Sequence, residues 1–136
     1  DEVDTLAQRA EAHDFVYLHY KPADTAGEDG DFDAKVRALE ELDRLLPHVV
    51  ALEPDVLIVG GDHATPAVMG GHSWHPVPFL LHSSWTGGEG VPELTERACA
   101  NGSLRHISAT SVMLLALIPL MNIQITVKSE SESKAD

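Results

Sequence analysis

Residues 54–63 read PDVLIVGGDH and contain a clear signal for a β-strand. The continuous apolar run Val56–Val59 follows a Pro-Asp pair and is stopped by two glycines, which is typical of a short strand buried on both faces. Such strands occur in parallel sheets covered by helices, and ligands gather beyond their carboxyl ends. Asp62 and His63 follow directly. The sequence therefore predicts a carboxylate and an imidazole where such a sheet binds ligands.

The segments around this run predict an alternation of strands and helices. Apolar runs at 15–18 and 77–81 predict two further strands. An amphipathic helix, with Asp31 or Asp33 as its N-cap, is indicated by apolar residues at three- and four-residue spacing: Val36, Leu39, Leu42 and Leu46. Shorter helices are expected at 3–12, 92–100 and 110–117, and a polar loop at 21–31. This order predicts an α/β layered sheet with right-handed crossovers.

Length and composition exclude several classes of protein. The chain has 136 residues, 43% of them hydrophobic and 23% charged, which is the size and composition of one globular domain. Its net charge of −13 argues against binding to nucleic acid or to an anionic membrane surface. Cys99 is the single cysteine, which favours a reducing, cytoplasmic compartment. The run Val112–Met121 contains Pro119 and has about half the length of a membrane-spanning helix.

Carboxylates and imidazoles accumulate after two of the predicted strands. The candidates are Asp24, Glu28, Asp29 and Asp31 after the first, and Asp62, His63, His72 and His75 after the second. Divalent metals prefer this mixture of oxygen and nitrogen ligands, so a metal site is the first hypothesis. The alternatives are a solvated turn with a helix-capping role at 28–31 and a tight turn with a surface histidine at 62–63. Four other histidines are expected to be structural or exposed: His13, His48, His82 and His106.

Three stretches carry a family resemblance. Residues 19–43 (HYKPADTAGEDGDFDAKVRALEELD), 60–83 (GGDHATPAVMGGHSWHPVPFLLHS) and, more loosely, 93–117 (ELTERACANGSLRHISATSVMLLAL) resemble the archaeal-type 2,3-bisphosphoglycerate-independent phosphoglycerate mutases, which belong to the alkaline phosphatase superfamily. The motifs occur in the family's order and span most of the chain. The fold that this resemblance implies is an incomplete three-layer αβα sandwich with a mostly parallel sheet.

The resemblance also implies a site that holds two divalent ions, manganese or zinc. Asp24, Glu28 and His72 would hold one ion, whereas Asp62 and His63 would belong to the other. Lys21 matches a lysine of the family and would help to hold phosphate. Glu28 stands where the family has histidine, and its oxygen ligand weakens the preference for zinc.

The activity implied by the resemblance is the interconversion of 2- and 3-phosphoglycerate in glycolysis, through a phosphoserine intermediate. No segment matches the family's serine nucleophile, because Ser73, Ser83 and Ser84 stand in the wrong context. We therefore expect residues 1–121 to be the C-terminal part of a phosphotransferase domain that is inactive alone. We expect residues 122–136 to be a divergent, partly disordered tail. An uncovered sheet edge would favour a homo-oligomer.

Two alternative functions remain open at this point. The same metal core could hydrolyse a phosphate or sulfate ester, since one superfamily carries several chemistries. The chain could also be a degenerate paralogue, without enzymatic activity, in which Glu28 has ended metal binding at one site.

Overall fold

Five α-helices and two β-strands form the part of the chain that the structure, a computed structural model, describes: residues 2–87 and 90–120. In chain order the elements are α1 (Glu2–Ala10), α2 (Pro22–Glu28), α3 (Phe32–Val50), β1 (Val56–Gly60), β2 (Phe79–Ser83), α4 (Glu96–Cys99), a 3₁₀ turn (Ala109–Ser111) and α5 (Val112–Leu120). The predicted mixture of helices and strands is confirmed. The predicted tail at 122–136 lies outside the described residues.

Helices α2 and α3 follow each other across a short turn and pack against one another. Asp31 caps α3, since its side chain accepts a hydrogen bond from the backbone N–H of Ala34 at 2.8 Å. The amphipathic helix predicted from the apolar spacing is thereby confirmed. The loop predicted at 21–31 is wrong, because residues 22–28 form α2 with Pro22 in its first turn. Proline is favoured there because the first N–H groups of a helix lack intrahelical partners.

Strands β1 and β2 pair antiparallel, with Val56 opposite Ser83 and Gly60 opposite Phe79. They are the one sheet found among the described residues, so the predicted mostly parallel order is not seen in this part of the chain. The physical reason lies in the connection 61–78, which contains no helix and folds on itself through a bridge between Ala64 and Ser73. A parallel pair needs a long crossover, usually a helix, whereas an antiparallel pair does not.

The strand predicted at 15–18 is wrong, since this segment is neither helix nor strand. Phe15 and Tyr17 are 62% and 72% exposed. A strand gains its ladder hydrogen bonds from a neighbour, and no described strand lies beside this segment. The helix predicted at 92–100 is shorter than expected, because it begins only after its N-cap, Thr95.

Few residues are buried in the described part of the chain. They are Val3, Ala26, Gly27, Thr65 and Ser83. Ala26 and Gly27 lie on α2, and Thr65 lies in the 61–78 connection that packs against this helix. Three of the five buried residues therefore lie where α2 meets this connection.

Within residues 2–87 and 90–120, none of the helices has both the length and the apolar character needed to cross a membrane.

Candidate metal centre

Helix α2 and the 61–78 connection bring together the side chains that the sequence singled out. Asp24, His63 and His72 each offer one ligand atom, and these atoms all lie within 4.8 Å of one another. Asp24 and Glu28 are four residues apart on α2, so both face the same side of the helix. Residues separated by about forty positions in the chain therefore meet at one place.

Asp24 lies at the centre of the cluster. Its Oδ2 accepts a hydrogen bond from the Lys21 ammonium at 2.7 Å, and its Oδ1 accepts one from the Thr65 hydroxyl at 2.6 Å. These two hydrogen bonds, that of Lys21 first, lower the pKa of Asp24 from its ordinary 3.8 to about 2. The carboxyl is therefore ionised over nearly the whole pH range, as a metal ligand must be.

Lys21 is half-exposed and makes an ion pair with Asp24. The hydrogen bond to Asp24 is also the main cause that raises the pKa of Lys21. The structure thus places the ammonium directly at the cluster, against a carboxylate.

His72 faces both carboxylates of α2. Its Nε2 lies 3.2 Å from Oε1 of Glu28 and 4.0 Å from Oδ1 of Asp24. Because a carboxylate only accepts, Nε2–H of His72 donates to Glu28. His72 and Glu28 are both exposed, so an ion could reach this group from solvent.

Asp62 and His63 form a second pair, which lies next to the group of Asp24, Glu28 and His72. Oδ2 of Asp62 lies 3.7 Å from Nε2 of His63, and Oδ1 accepts a hydrogen bond from the backbone N–H of His63. Asp62 is 74% exposed. The rings of His63 and His72 lie 3.8 Å apart between centroids, so the two groups are neighbours.

The spacing of these atoms fits divalent metal ions. Ligand bonds of about 2.1 Å allow two donors of one ion to lie at most about 4.2 Å apart. The distances of 3.2, 3.7 and 4.0 Å already satisfy this limit. The ligand atoms of Asp24, His63 and His72 all lie within 4.8 Å of one another, so the candidate ligands of the two expected ions are close neighbours. Carboxylate oxygens with imidazole nitrogens are a donor set for hard or borderline divalent ions.

Some candidates lie outside the cluster. Asp31 is the N-cap of α3 and Asp29 follows the end of α2, so the alternative reading of the 28–31 turn holds for these two. His75 stacks on Trp74 and shares a hydrogen bond with Ser73. The four histidines expected to be structural or exposed are exposed: His13, His48, His82 and His106.

The sequence analysis did not single out two residues that lie at the site. Thr65 is 4% exposed and its hydroxyl contacts both Asp24 and His63. Lys35 of α3 donates from Nζ to the backbone oxygen of Thr65 at 2.5 Å. Thr65 stands two residues after His63, within the stretch that carries the resemblance, and that position was a usable signal. Lys35 gave none, because its contact lies 30 residues away along the chain.

Comparison with known proteins shows which proteins this chain is similar to in sequence. A protein named "Probable 2,3-bisphosphoglycerate-independent phosphoglycerate mutase" from Thermotoga neapolitana is 48% identical over 86% of this chain and 29% of its own length. A protein of the same name from Aquifex aeolicus is 41% identical over 91% of this chain and 30% of its own length. The chain thus spans less than a third of the length of these curated relatives.

A solved structure and a family model also match this chain. The PH0037 protein from Pyrococcus horikoshii superposes with a TM-score of 0.84 at 25% identity, over 93% of this chain and 39% of that one. The model of a protein family described as "Metalloenzyme superfamily" matches residues 1–119. The resemblance to phosphoglycerate mutases read from the motifs is confirmed, and the chain belongs to the metalloenzyme superfamily.

Proposed function

We propose that residues 1–121 supply the C-terminal part of the phosphotransferase domain of a 2,3-bisphosphoglycerate-independent phosphoglycerate mutase. This isomerase would move phosphate between the 2- and 3-hydroxyls of glycerate. The observation that carries the proposal is the convergence of Asp24, His63 and His72 within 4.8 Å. Relatives that carry the mutase name, with 48% and 41% identity, supply the reaction.

The site would hold two divalent ions. Asp24, Glu28 and His72 would bind one, since His72 lies within 3.2 and 4.0 Å of the two carboxylates. Asp62 and His63 would belong to the other, and the 3.7 Å between their side chains suits a shared ion. Glu28 supplies an oxygen, so manganese is favoured over zinc.

Bound ions of this kind lower the pKa of a hydroxyl nucleophile and neutralise an anionic substrate. The chain's own residues would provide the binding surface around them. Lys21, which reaches Asp24 at 2.7 Å, would hold a phosphate oxygen at the edge of the site. The side chain of Ser73 pairs with His75 rather than with the cluster. The serine nucleophile would therefore come from another part of a longer polypeptide.

The complete domain would be the three-layer αβα sandwich with a mostly parallel sheet. The antiparallel pair β1–β2 would then be a local part of it. The superposition with the Pyrococcus horikoshii protein supports this view, because the match leaves more than half of that chain outside it. A cytoplasmic, glycolytic role would follow from the reaction.

Metal binding can be tested on the chain directly. We expect calorimetric titration with Mn²⁺ to show binding that Asp24→Asn weakens by more than about a hundredfold. Loss of a hydrogen-bond partner of a metal ligand costs about 10–100-fold, and Asp24 would be a direct ligand in the proposed site. Asp33→Asn is the matched control, because Asp33 is an exposed carboxylate in the first turn of α3. Equal affinities of wild type and Asp24→Asn would contradict the proposed site.

The reaction itself can be tested on a longer protein that contains this chain. We expect transfer between 2- and 3-phosphoglycerate without release of inorganic phosphate. Release of inorganic phosphate would favour the ester-hydrolase alternative. A protein that shows neither phosphate transfer nor phosphate release, and that binds no Mn²⁺, would favour the degenerate paralogue. Full turnover by the 136-residue chain alone would overturn the view that it is only part of the enzyme.

A further inference from the structure

The hydroxyl of Thr65 connects the two halves of the cluster. Thr65 Oγ1 lies 2.6 Å from Oδ1 of Asp24 and 3.0 Å from Nδ1 of His63. The residue is 4% exposed, so water has little access to replace these bonds. One side chain from the 61–78 connection therefore contacts a carboxylate of α2 and an imidazole of its own segment.

Counting hydrogens settles the direction of both bonds. A hydroxyl has one hydrogen, and the ionised carboxylate of Asp24 can only accept. Thr65 therefore donates to Asp24. Its oxygen must then accept from Nδ1–H of His63, and this holds whether the ring is neutral or charged. In the neutral ring the bare nitrogen is Nε2, which lies 3.7 Å from Asp62.

We propose that Thr65 is a positioning residue that fixes His63 with its hydrogen on Nδ1 and directs Nε2 toward a divalent ion shared with Asp62. The role of the ion rests on the function proposed above. A metal-binding histidine commonly donates its second ring N–H to an oxygen, which fixes the orientation of the ring and the identity of the bare nitrogen. Here that oxygen belongs to a threonine which is itself bound to a second candidate ligand, Asp24.

The backbone of Thr65 is fixed independently of its hydroxyl. Lys35 donates from Nζ to the Thr65 carbonyl oxygen at 2.5 Å. Gly27 lets the same oxygen approach α2, because a Cβ at position 27 would overlap it. Helices α2 and α3 thus hold the threonine from two sides, so its hydroxyl can orient His63 without reorganising first.

The hydrogen position can be measured without any metal. We expect long-range ¹H–¹⁵N correlation spectra of the metal-free chain, at a pH where the ring is neutral, to show His63 protonated on Nδ1 and bare on Nε2. His63→Gln assigns the signals by their disappearance. A wild-type spectrum with the hydrogen on Nε2 of His63 would overturn the proposal, and this readout needs no variant of Thr65.

Metal affinity provides the second measurement. We expect Thr65→Val to lose the preference for Nδ1–H and to bind Mn²⁺ about 10- to 100-fold more weakly. Thr65→Ser keeps the hydroxyl and should stay close to wild type. Thr25→Val is the matched control, because Thr25 is exposed and its hydroxyl makes no hydrogen bond among the described residues.

The outcomes separate this inference from the proposed function. If wild type binds Mn²⁺ but Thr65→Val binds it equally well, Thr65 does not position a ligand. If Thr65→Ser loses as much affinity as Thr65→Val, the effect is packing rather than hydrogen bonding, and the inference is equally wrong. If wild type binds no Mn²⁺, the proposed function fails, while the hydrogen position on His63 still decides whether Thr65 orients the ring.

Discussion

The corner that carries the candidate metal ligands and the apolar segments of this chain are organised in opposite ways. The corner, which we define as residues 21–35 and 62–72, is joined by hydrogen bonds such as those of Thr65 to Asp24 and Lys35. The apolar segments, residues 15–18 and α5, leave large side chains uncovered: Tyr17 is 72% and Leu114 is 62% exposed. The candidate ligands are therefore arranged by contacts within the chain, whereas the apolar segments are not covered by the residues that the structure describes.

This difference means that the contacts that arrange the candidate site are not the ones that mainly stabilise a fold. Burial of apolar surface is the main force that stabilises folded proteins. Val3 and Ala26 are the only apolar side chains that are buried among the described residues. The polar bonds of the corner specify a geometry, but each contributes only about 1 kcal/mol. The corner should consequently be sensitive to small steric changes, and the apolar segments should favour association.

The steric prediction has the largest expected effect on stability. In Gly27→Ala the new methyl group would overlap the backbone oxygen of Thr65 and crowd Nζ of Lys35. A backbone oxygen cannot rotate away, so the cost of about 1–3 kcal/mol outweighs the gain of up to about 1 kcal/mol in helix propensity. We expect a net loss of unfolding free energy, measured by urea denaturation, together with weaker Mn²⁺ binding.

Gly71→Ala is the control for this variant. A Cβ at Gly71 would meet nothing within 4 Å, so its stability should stay near that of wild type. Equal stabilities of the two alanine variants would show that α2 and the 61–78 connection are not in close contact, and the contrast between the two regions would then disappear.

The parts of the fold that sequence reasoning predicted are those with a local signal. The apolar run stopped by two glycines predicted β1, and the apolar spacing from Val36 to Leu46 predicted α3, with Asp31 as one of two candidate N-caps. The pairing direction of β1 had no local signal, since an apolar run indicates burial without naming its neighbour. The segment 15–18 shows the same limit, because its composition favours a strand but no described strand pairs with it.

The candidate site was predictable to a similar extent. The carboxylates and imidazoles were singled out because they accumulate after two predicted strands, although only the strand before Asp62 and His63 is present among the described residues. That His63 and His72 would lie ring against ring, at 3.8 Å, depends on the path of the 61–78 connection. The contact of Lys35 with Thr65 depends on how α3 packs, which no short stretch of sequence encodes.

A prediction of intermediate size concerns the apolar segments. Leu114 of α5 is 62% exposed, and burying a leucine is worth about 1.5–3 kcal/mol. We expect the chain to self-associate through this face and Leu114→Glu to weaken that association about tenfold or more, measured by sedimentation equilibrium. Gln8→Glu adds the same charge at an exposed position of α1 and should leave the association unchanged. A wild-type chain that stays monomeric at high concentration would contradict the expectation that the apolar segments favour association.

The smallest expected effect concerns the charge balance of the corner. The pKa of Asp24 is about 2, below its ordinary 3.8, and the hydrogen bond from Lys21 is the largest cause. A depressed carboxyl pKa stabilises the folded chain above about pH 3.8, and this contribution is lost as the pH falls toward 2. In Lys21→Met the pKa of Asp24 should rise toward 3.8, which ¹³C titration of its carboxyl group measures. The loss of folded-state stability at acid pH should shrink with it.

Arg37→Met separates this local effect from a change in net charge. Arg37 is an exposed cation on α3 that makes no ion pair among the described residues, so its removal should leave the pKa of Asp24 near 2. If Lys21→Met also left that pKa near 2, the Thr65 hydroxyl would be the bond that holds the carboxyl ionised. The corner would then depend on one buried threonine rather than on a surface ion pair. For metal binding, in contrast to the pKa of Asp24, we expect Thr65 to matter more than Lys21, because exposed ion pairs are screened by salt and buried hydrogen bonds are screened much less.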